Sequence, residues 1–300
     1  MSNTAAALLN RLGQAQGAAI AIEIISTRGS TPRGTDAFLI VTADQTGGTI
    51  GGGQLEFHAI DVARSMLAQG APQRQLDMPL GPHLGQCCGG HVTLLLSPVD
   101  VAIAQRLRNR VNLAEQAQPE VLVFGLGHTG RALAQMLALL PFNVTLVDDR
   151  AEVFADLPQT CRWLPLDDPA LAIAQALPGA AFIVLTHSHG LDYRLADAAL
   201  ARADAAYVGM IGSSTKRARF ERWFLMRGGA TARLRDFACP IGGADVADKR
   251  PAVIASLTAA EILRAFARRA ALAKAALPEI VDAVADHVFI GEQGHGTDPA

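Results

Sequence analysis

Apolar positions along the chain follow two periods, and the switches between them mark out strands and helices. Residues 4–16 space their apolar side chains as a short amphipathic helix, while the Ile- and Ala-rich run at 18–27 reads as a buried strand. Further strands are predicted at 38–42, 73–78 and 91–97, and helices at 55–69 and 100–118, the last turning polar before Pro119. Beyond it, short apolar strands alternate with helices. The strands fall at 121–124, 143–147, 181–185 and 206–209; helices run to Leu140, over 192–203, after Ser213 and Ser214, and over 251–272. Pro251 sits where a first helical turn tolerates it, and the residues from about Gly291 read as a frayed end. Strand–helix alternation predicts a parallel sheet. The expected fold class is therefore α/β: an N-terminal mixed α/β module over 1–118 and a C-terminal Rossmann-like parallel-sheet domain over 119–300, with the boundary near 115–119.

Length and composition agree with two soluble domains. Three hundred residues exceed the roughly 100–200 of one domain. Half the chain is hydrophobic, 18% is charged and the net charge is −2, which provides a large core and no general nucleic-acid footprint. The N-terminus lacks a basic region followed by an apolar one, so no signal peptide is expected. Pro141 and Pro178 interrupt the two most apolar stretches, at 133–147 and 170–185, so no membrane span is expected. Cys87, Cys88, Cys161 and Cys239 lack the paired spacing of a zinc set or a disulfide framework. The expected setting is the cytoplasm, with reduced thiols.

Three glycine-rich stretches in the first module change the picture from scaffold to site. Arg28-Gly29-Ser30-Thr31-Pro32-Arg33-Gly34 combines planar cations with exposed backbone donors, a composition suited to an anion. Gly51-Gly52-Gly53 runs into a helix whose first turn carries Glu56, and such helix entrances bind anions through unpaired N–H groups. Gly85-Gln86-Cys87-Cys88-Gly89-Gly90 places adjacent thiols between glycines. Adjacent α-carbons lie about 3.8 Å apart, closer than the roughly 4.4–6.8 Å that disulfides usually join. A Cys87–Cys88 bridge would be a poor staple, and the pair suits soft-metal, sulfur or redox chemistry. Each stretch also has a plainer reading, as a polar connection or a turn with small residues. Three within one module suggest a shared small-molecule site.

The second half carries Gly125-x-Gly127-x-x-Gly130 between an apolar strand and a helix, with Asp148 placed 23 residues after Gly125. That context is the dinucleotide-binding βαβ pattern: Gly125 for the turn, Gly127 for phosphate approach, Gly130 for packing and Asp148 for a ribose or similar diol. It leaves open whether a nicotinamide, another phosphate-bearing ligand or nothing occupies the site. Thr186-His187-Ser188-His189-Gly190 and Ile211-Gly212-Ser213-Ser214-Thr215-Lys216-Arg217 follow two later strands, on the edge where such sheets bind ligands. His187 and His189 are read as polar crest residues rather than metal ligands. Ser213 or Ser214 is expected to cap the next helix, with Lys216 and Arg217 available to a phosphate. Residues 216–235 hold seven basic side chains and one acid, which reads as an anion-facing patch or a solvated helix face.

Together these motifs resemble the XdhC/CoxI family, accessory proteins of bacterial xanthine dehydrogenase and related molybdenum hydroxylases. The residues that carry the resemblance are Gly29-Ser30-Thr31-Pro32-Arg33, Gly51-Gly52-Gly53-Gln54-Leu55-Glu56 and Gly85-Gln86-Cys87-Cys88-Gly89-Gly90 in the first half. In the second half they are the stretch at 121–148, Thr186-His187, Ile211-Gly212-Ser213 and Cys239-Pro240-Ile241-Gly242. The cysteine pair points to the xanthine dehydrogenase branch. Gln54 departs from the Gly-Gly-Cys-Leu-Glu form of many relatives, which removes a thiol from the second glycine loop.

The resemblance implies a molybdenum-cofactor chaperone rather than a turnover enzyme. Such a protein binds the molybdopterin form as cargo while a cysteine desulfurase sulfurates it, then delivers it to apo xanthine dehydrogenase. Cys87 or Cys88 would contact the molybdenum. Gln86, Gly89, Gly90, Arg33, Gly51, Gly52, Gly53, Glu56, Gly125, Gly127, Gly130, Asp148, His187, Ser213, Lys216 and Arg217 complete the candidate set. The alternatives are an NAD(P)- or flavin-dependent oxidoreductase with a Cys87/Cys88 redox pair, or a persulfide sulfur-transfer protein. Self-association is left open, and no nucleic-acid or membrane partner is expected.

Overall fold

The computed structural model describes residues 3–12, 18–81, 89–150 and 156–288. The chain forms two compact units, Met1–Ala117 and Gln118–Ala300.

In the first unit, strands β1 (Ile20–Arg28), β2 (Phe38–Val41), β3 (Thr46–Gly48), β4 (Arg74–Pro79) and β5 (His91–Pro98) form one antiparallel sheet in the order β3-β2-β1-β5-β4. Alternate strand residues face opposite sides, and both sides are apolar. Ile20, Ile22, Ile24, Leu39 and Leu94 pack with Leu55, Ala59, Ala63 and Met66 of helix α2 (Gly53–Gln69). Ala21, Phe38 and Ile40 pack on the other face with Ala5 and Leu9 of α1 (Asn3–Leu12) and Leu107 and Val111 of α3 (Val101–Gln116). This second face also buries Glu23, whose carboxylate accepts two bonds of 2.7 Å from Arg106 and one of 3.3 Å from Arg110. A buried carboxylate is tolerable only when so paired.

In the second unit, β6 (Glu120–Phe124), β7 (Asn143–Val147), β8 (Arg162–Leu164), β9 (Ala181–Val184), β10 (Tyr207–Met210) and β11 (Phe237–Ala238) are parallel throughout, in the order β11-β10-β9-β6-β7-β8. Counted from β6 this is the doubly wound order 3-2-1-4-5-6, with its switch point between β6 and β9. Leu122, Phe124, Phe182 and Val184 face α5 (Ala170–Gln175), α6 (His189–Ala201) and α7 (Ser214–Met226). Val121, Val123, Ala181 and Ile183 face α4 (His128–Leu137) and the start of α8 (Pro251–Val288).

Several elements depart from the sequence expectation. β3, β8, β11 and α5 went unanticipated because each is too short to establish a period. Helix α6 begins at His189 rather than at 192, because Ser188 caps it by accepting the Leu191 N–H. Helix α8 continues past 272 to Val288, although among the described side chains Phe266 is the last packed on the sheet cluster. The expected first helix extends over residues 13–16, and the expected frayed end begins after 288; both stretches lie outside the described residues. Among the described residues, no helix is long and apolar enough to cross a membrane.

Candidate functional site

Three chain segments meet at one edge of the first unit. After β1 the chain turns at Gly29, and Ser30 forms an isolated parallel bridge to Gly89. Gly90 allows this approach: a β-carbon there would lie 2.0 Å from the Ser30 carbonyl oxygen. The Leu80 N–H donates to Gly90 O and the Gly89 N–H to Leu80 O. The chain is therefore pinned on both sides of 82–88. Gln86, Cys87 and Cys88 themselves lie outside the described residues. The third segment leans on the first: a β-carbon at Gly51 would lie 2.5 Å from Pro32 Cγ.

The second glycine loop is organised from within. Gly51, Gly52 and Gly53 take φ values of 128°, 75° and 62°, a left-handed path open to glycine. Glu56 turns back onto this path. Its Oε2 accepts bonds from Thr49 Oγ1 at 2.6 Å, the Ile50 N–H at 2.9 Å and the Gly52 N–H at 3.2 Å, while the Gly51 N–H donates to Thr49 Oγ1. The expectation that this loop offers its N–H groups to an external anion is thus corrected. Glu56 is the anion for Ile50 and Gly52, and it is a loop-organising residue rather than a ligand contact. What remains open to solvent is the backbone at Gly52 and Gly89, where an added β-carbon meets nothing within 4 Å. Exposed Arg28 and Arg33 lie on the first loop, and neither forms an ion pair among the described residues.

In the second unit, Gly125, Gly127 and Gly130 divide their tasks. Gly125 has φ 98°, and a β-carbon there would lie 2.4 Å from Leu185 O; one at Gly130 would lie 2.1 Å from Gly125 O. Both glycines are demanded by packing. Gly127 has φ −68°, caps α4 without a side-chain bond, and faces open space. Beside it, a cavity of about 400 Å³ opens at the carboxyl ends of β6, β7 and β9, walled by Phe124, Val147, Leu166, Leu185, Leu191 and Leu195. Asp148, Asp149, Arg150, Asp167, Thr186 and His187 supply its polar rim.

Asp148 is already engaged. Its Oδ2 accepts the Leu126 N–H at 2.7 Å and Arg150 Nη2 at 2.8 Å; its Oδ1 accepts the Arg150 N–H at 3.1 Å and Nε at 2.9 Å. Burial alone would raise the Asp148 pKa, but the Arg150 and Leu126 donors hold it below the ordinary carboxylate value. A diol can reach this carboxylate only by displacing Arg150.

Lys216 and Arg217 do not present themselves to a phosphate, contrary to expectation. Lys216 Nζ bonds the fully buried Asp192 at 2.5 Å and Ile211 O at 2.8 Å. Asp192 Oδ1 also accepts the Thr186 N–H at 2.9 Å and hydroxyl at 2.7 Å, so one carboxylate ties the loop after β9 to α7. Arg217 pairs with Glu221 at 2.7 Å and donates to Phe237 O and Leu234 O. Ser213 is the cap of α7, accepting the Lys216 N–H. His187 is exposed on the crevice rim, whereas His189 starts α6 and lines a neighbouring cavity of about 510 Å³ with Tyr193, Gly212 and Ser213. No group of three or more metal-binding side chains occurs among the described residues. Burial pushes the Cys239 thiol up to about 11 despite Lys216 and Arg217 nearby, so it is neutral at neutral pH.

The candidates therefore fall into two sets: loops in the first unit and a crest in the second. Sequence reasoning missed Asp192 and the packing roles of Pro32 and Thr49. Asp192 had one local signal, an acid in a first helical turn after Thr186 and Ser188. It also missed the wall from the β8–α5 connection, Leu166 and Pro169.

Comparison with known proteins matches two family models, one described as the XdhC and CoxI family at residues 12–77 and one as the XdhC Rossmann domain at 121–262. The uncharacterized protein YqeB of Escherichia coli strain K12 is 25% identical over 247 residues, which span 81% of this chain and 42% of that protein. This chain thus spans well under half the length of that curated relative. A crystal structure described as a xanthine dehydrogenase from Bacillus halodurans shares the fold with a TM-score of 0.70 at 18% identity, covering 88% of this chain and 96% of that one.

Proposed function

The chain belongs to the XdhC and CoxI family, and from that premise we propose that it serves xanthine dehydrogenase maturation as a molybdenum-cofactor chaperone. It holds the molybdopterin form as cargo during sulfuration by a cysteine desulfurase and passes it to the apo-hydroxylase. The supporting observation is the convergence of three loops in the first unit, through Ser30–Gly89 and Pro32–Gly51, directly beside the chain position of Cys87 and Cys88. A cargo with a phosphate at one end and a soft metal–sulfur centre at the other matches this donor set. Arg28 and Arg33 are cations suited to the phosphate, the open backbone at Gly52 and Gly89 leaves room for close approach, and a thiolate from Cys87 or Cys88 suits the metal. Glu56 keeps the glycine path in shape for the cargo.

The test is to purify the protein from cells with and without molybdopterin synthesis, then measure bound pterin and activation of apo xanthine dehydrogenase. Pterin in the first preparation, lost in Cys87→Ser or Cys88→Ser without loss of folding, is the expected result. Absence of pterin together with tight NADH binding would replace the chaperone by the oxidoreductase reading.

A further inference from the structure

We infer that the second unit carries a further site, toward the amino ends of β6 and β7, that binds a small monocarboxylate with an apolar stem through Thr145 and Arg162. The site goes beyond the chaperone reading and uses no residue of the first unit or of the crest.

A buried hydroxyl marks the place. The buried polar or charged side chains among the described residues are Glu23, Ser97, Thr145, Asp148, Asp192 and Thr258. All but one are hydrogen-bonded, Ser97 by accepting from Gln73 at 2.9 Å and Thr258 by donating to Ile254 O at 2.8 Å. The exception is Thr145, only 5% exposed, whose side chain has no partner among the described residues. Leaving a buried hydroxyl unpaired is costly. This one lines a cavity of about 500 Å³, within the size of small-molecule sites.

The hollow has a cause in the sequence. Helix α5 is six residues long, and it and its cap bring only Ala172 and Ala176 to this corner of the sheet. Leu122 and Leu164 complete an apolar wall. Strand register then sets the polar groups together, pairing Leu122 with Thr145 and Thr145 with Arg162. Paired residues of neighbouring strands, about 4.8 Å apart, share a face of the sheet. Thr145 and Arg162 are therefore neighbours on the cavity lining. The Arg162 guanidinium has no hydrogen bond or ion pair among the described residues. Arg202, at the end of α5, is by contrast engaged with Ile173 O, Ala176 O and Asp204.

Two open donors, one of them charged, select the ligand. A carboxylate is planar and only accepts, so it can take the guanidinium fork and the hydroxyl together. A neutral amide leaves the Arg162 charge uncompensated. Glu120 also lines the cavity, where it accepts the Leu177 N–H at 2.8 Å, and its charge opposes a second carboxylate. The fit is thus to a monoanion, with the stem against the leucines and alanines.

The experiment is ligand-observed NMR titration of the full chain with hydrocinnamate, hydrocinnamamide and benzylmalonate, which share one apolar stem and differ in charge. Hydrocinnamate is expected to bind saturably, about tenfold or more tightly than either of the others. Arg162→Gln should weaken it by about tenfold or more, and Arg162→Lys should restore only part of the loss. Thr145→Val keeps the side-chain shape and removes the hydroxyl. It should weaken hydrocinnamate severalfold, while the melting temperature of the ligand-free chain stays level or rises because no internal bond is lost. A lower melting temperature for this variant would show that the hydroxyl has an internal partner, and would overturn the inference. No saturable binding by the folded chain, equal binding of the amide or of benzylmalonate, or undiminished binding by Arg162→Gln would overturn it as well. Pterin content and the cysteine variants, which test the chaperone reading, are untouched by any of these outcomes.

Discussion

Both units place a glycine-rich loop at the entrance to a helix that has no side-chain cap, and in both a carboxylate holds the loop, but from different places in the chain. At α2, Glu56 folds back and binds the loop N–H groups itself. At α4, the nearby carboxylate, Asp148, takes the loop N–H of Leu126 and leaves the helix entrance uncapped beside open space. The same local motif is thus held through two loop N–H groups in one unit and through one in the other. The difference depends on where one carboxylate sits, four residues into the helix or at the end of the next strand.

The largest effect should come from the tie that shapes the open crest. Asp192→Ala takes from the part-buried Lys216 ammonium its one carboxylate partner among the described residues, leaving it on Ile211 O, and removes the acceptor of two Thr186 bonds. The expected loss is about 3–5 kcal/mol, read by chemical denaturation, and a loss below about 1 kcal/mol would mean that the crest is held by other contacts.

Glycine substitutions sharpen the contrast next. Gly125→Ala forces a side chain into a left-handed conformation and into Leu185 O; the backbone alone should cost about 1–3 kcal/mol. Gly127→Ala should leave the melting temperature unchanged.

Glu56→Ala should cost about 1–2 kcal/mol, similar to loss of a helix cap, and it should leave the Ile50 and Gly52 N–H groups without their acceptor. With its internal acceptor gone, the variant should gain more thermal stability from added sulfate than the native chain does. Equal sulfate responses would erase the distinction drawn between the two entrances.

The smallest effect is on pH. Asp148 is held below its ordinary pKa in the folded chain. Its stabilising contribution is therefore complete above the unfolded value of about 3.9. It declines as pH falls through the lower folded value. In Asp148→Asn, the acid limb of the unfolding curve should be shallower, with the loss of stability full at neutral pH and fading as pH falls through the folded value.

What could be read from the sequence follows range of interaction. The buried first strand was legible because Ile20, Ile22 and Ile24 alternate with Ala19 and Ala21, apolar on both faces. The second unit was legible because Gly125, Gly127, Gly130 and Asp148 belong to one contiguous βαβ segment. The meeting of Pro32 with Gly51 and of Ser30 with Gly89 joins residues 19 and 59 positions apart in the chain. No local pattern encodes those contacts. Lys216 and Arg217 were misread for the same reason. A cation looks available in a sequence until its partner is located, and Asp192 lies 24 positions from Lys216.

Helix α8 carries a further consequence. Its side chains pack on the sheet cluster through Ala255, Ala259, Ile262 and Ala265, but the residues at 267–275 are exposed, with Arg269 reaching back to donate to Asp204 O at 3.0 Å. One continuous helix therefore contains two regimes of amide exchange. The packed turns open only with the unit's core, while the solvated turns rely on their own hydrogen bonds, which are marginal in water. Deuterium uptake along α8 should change abruptly just after Phe266, marking the edge of the cooperative unit within an unbroken helix.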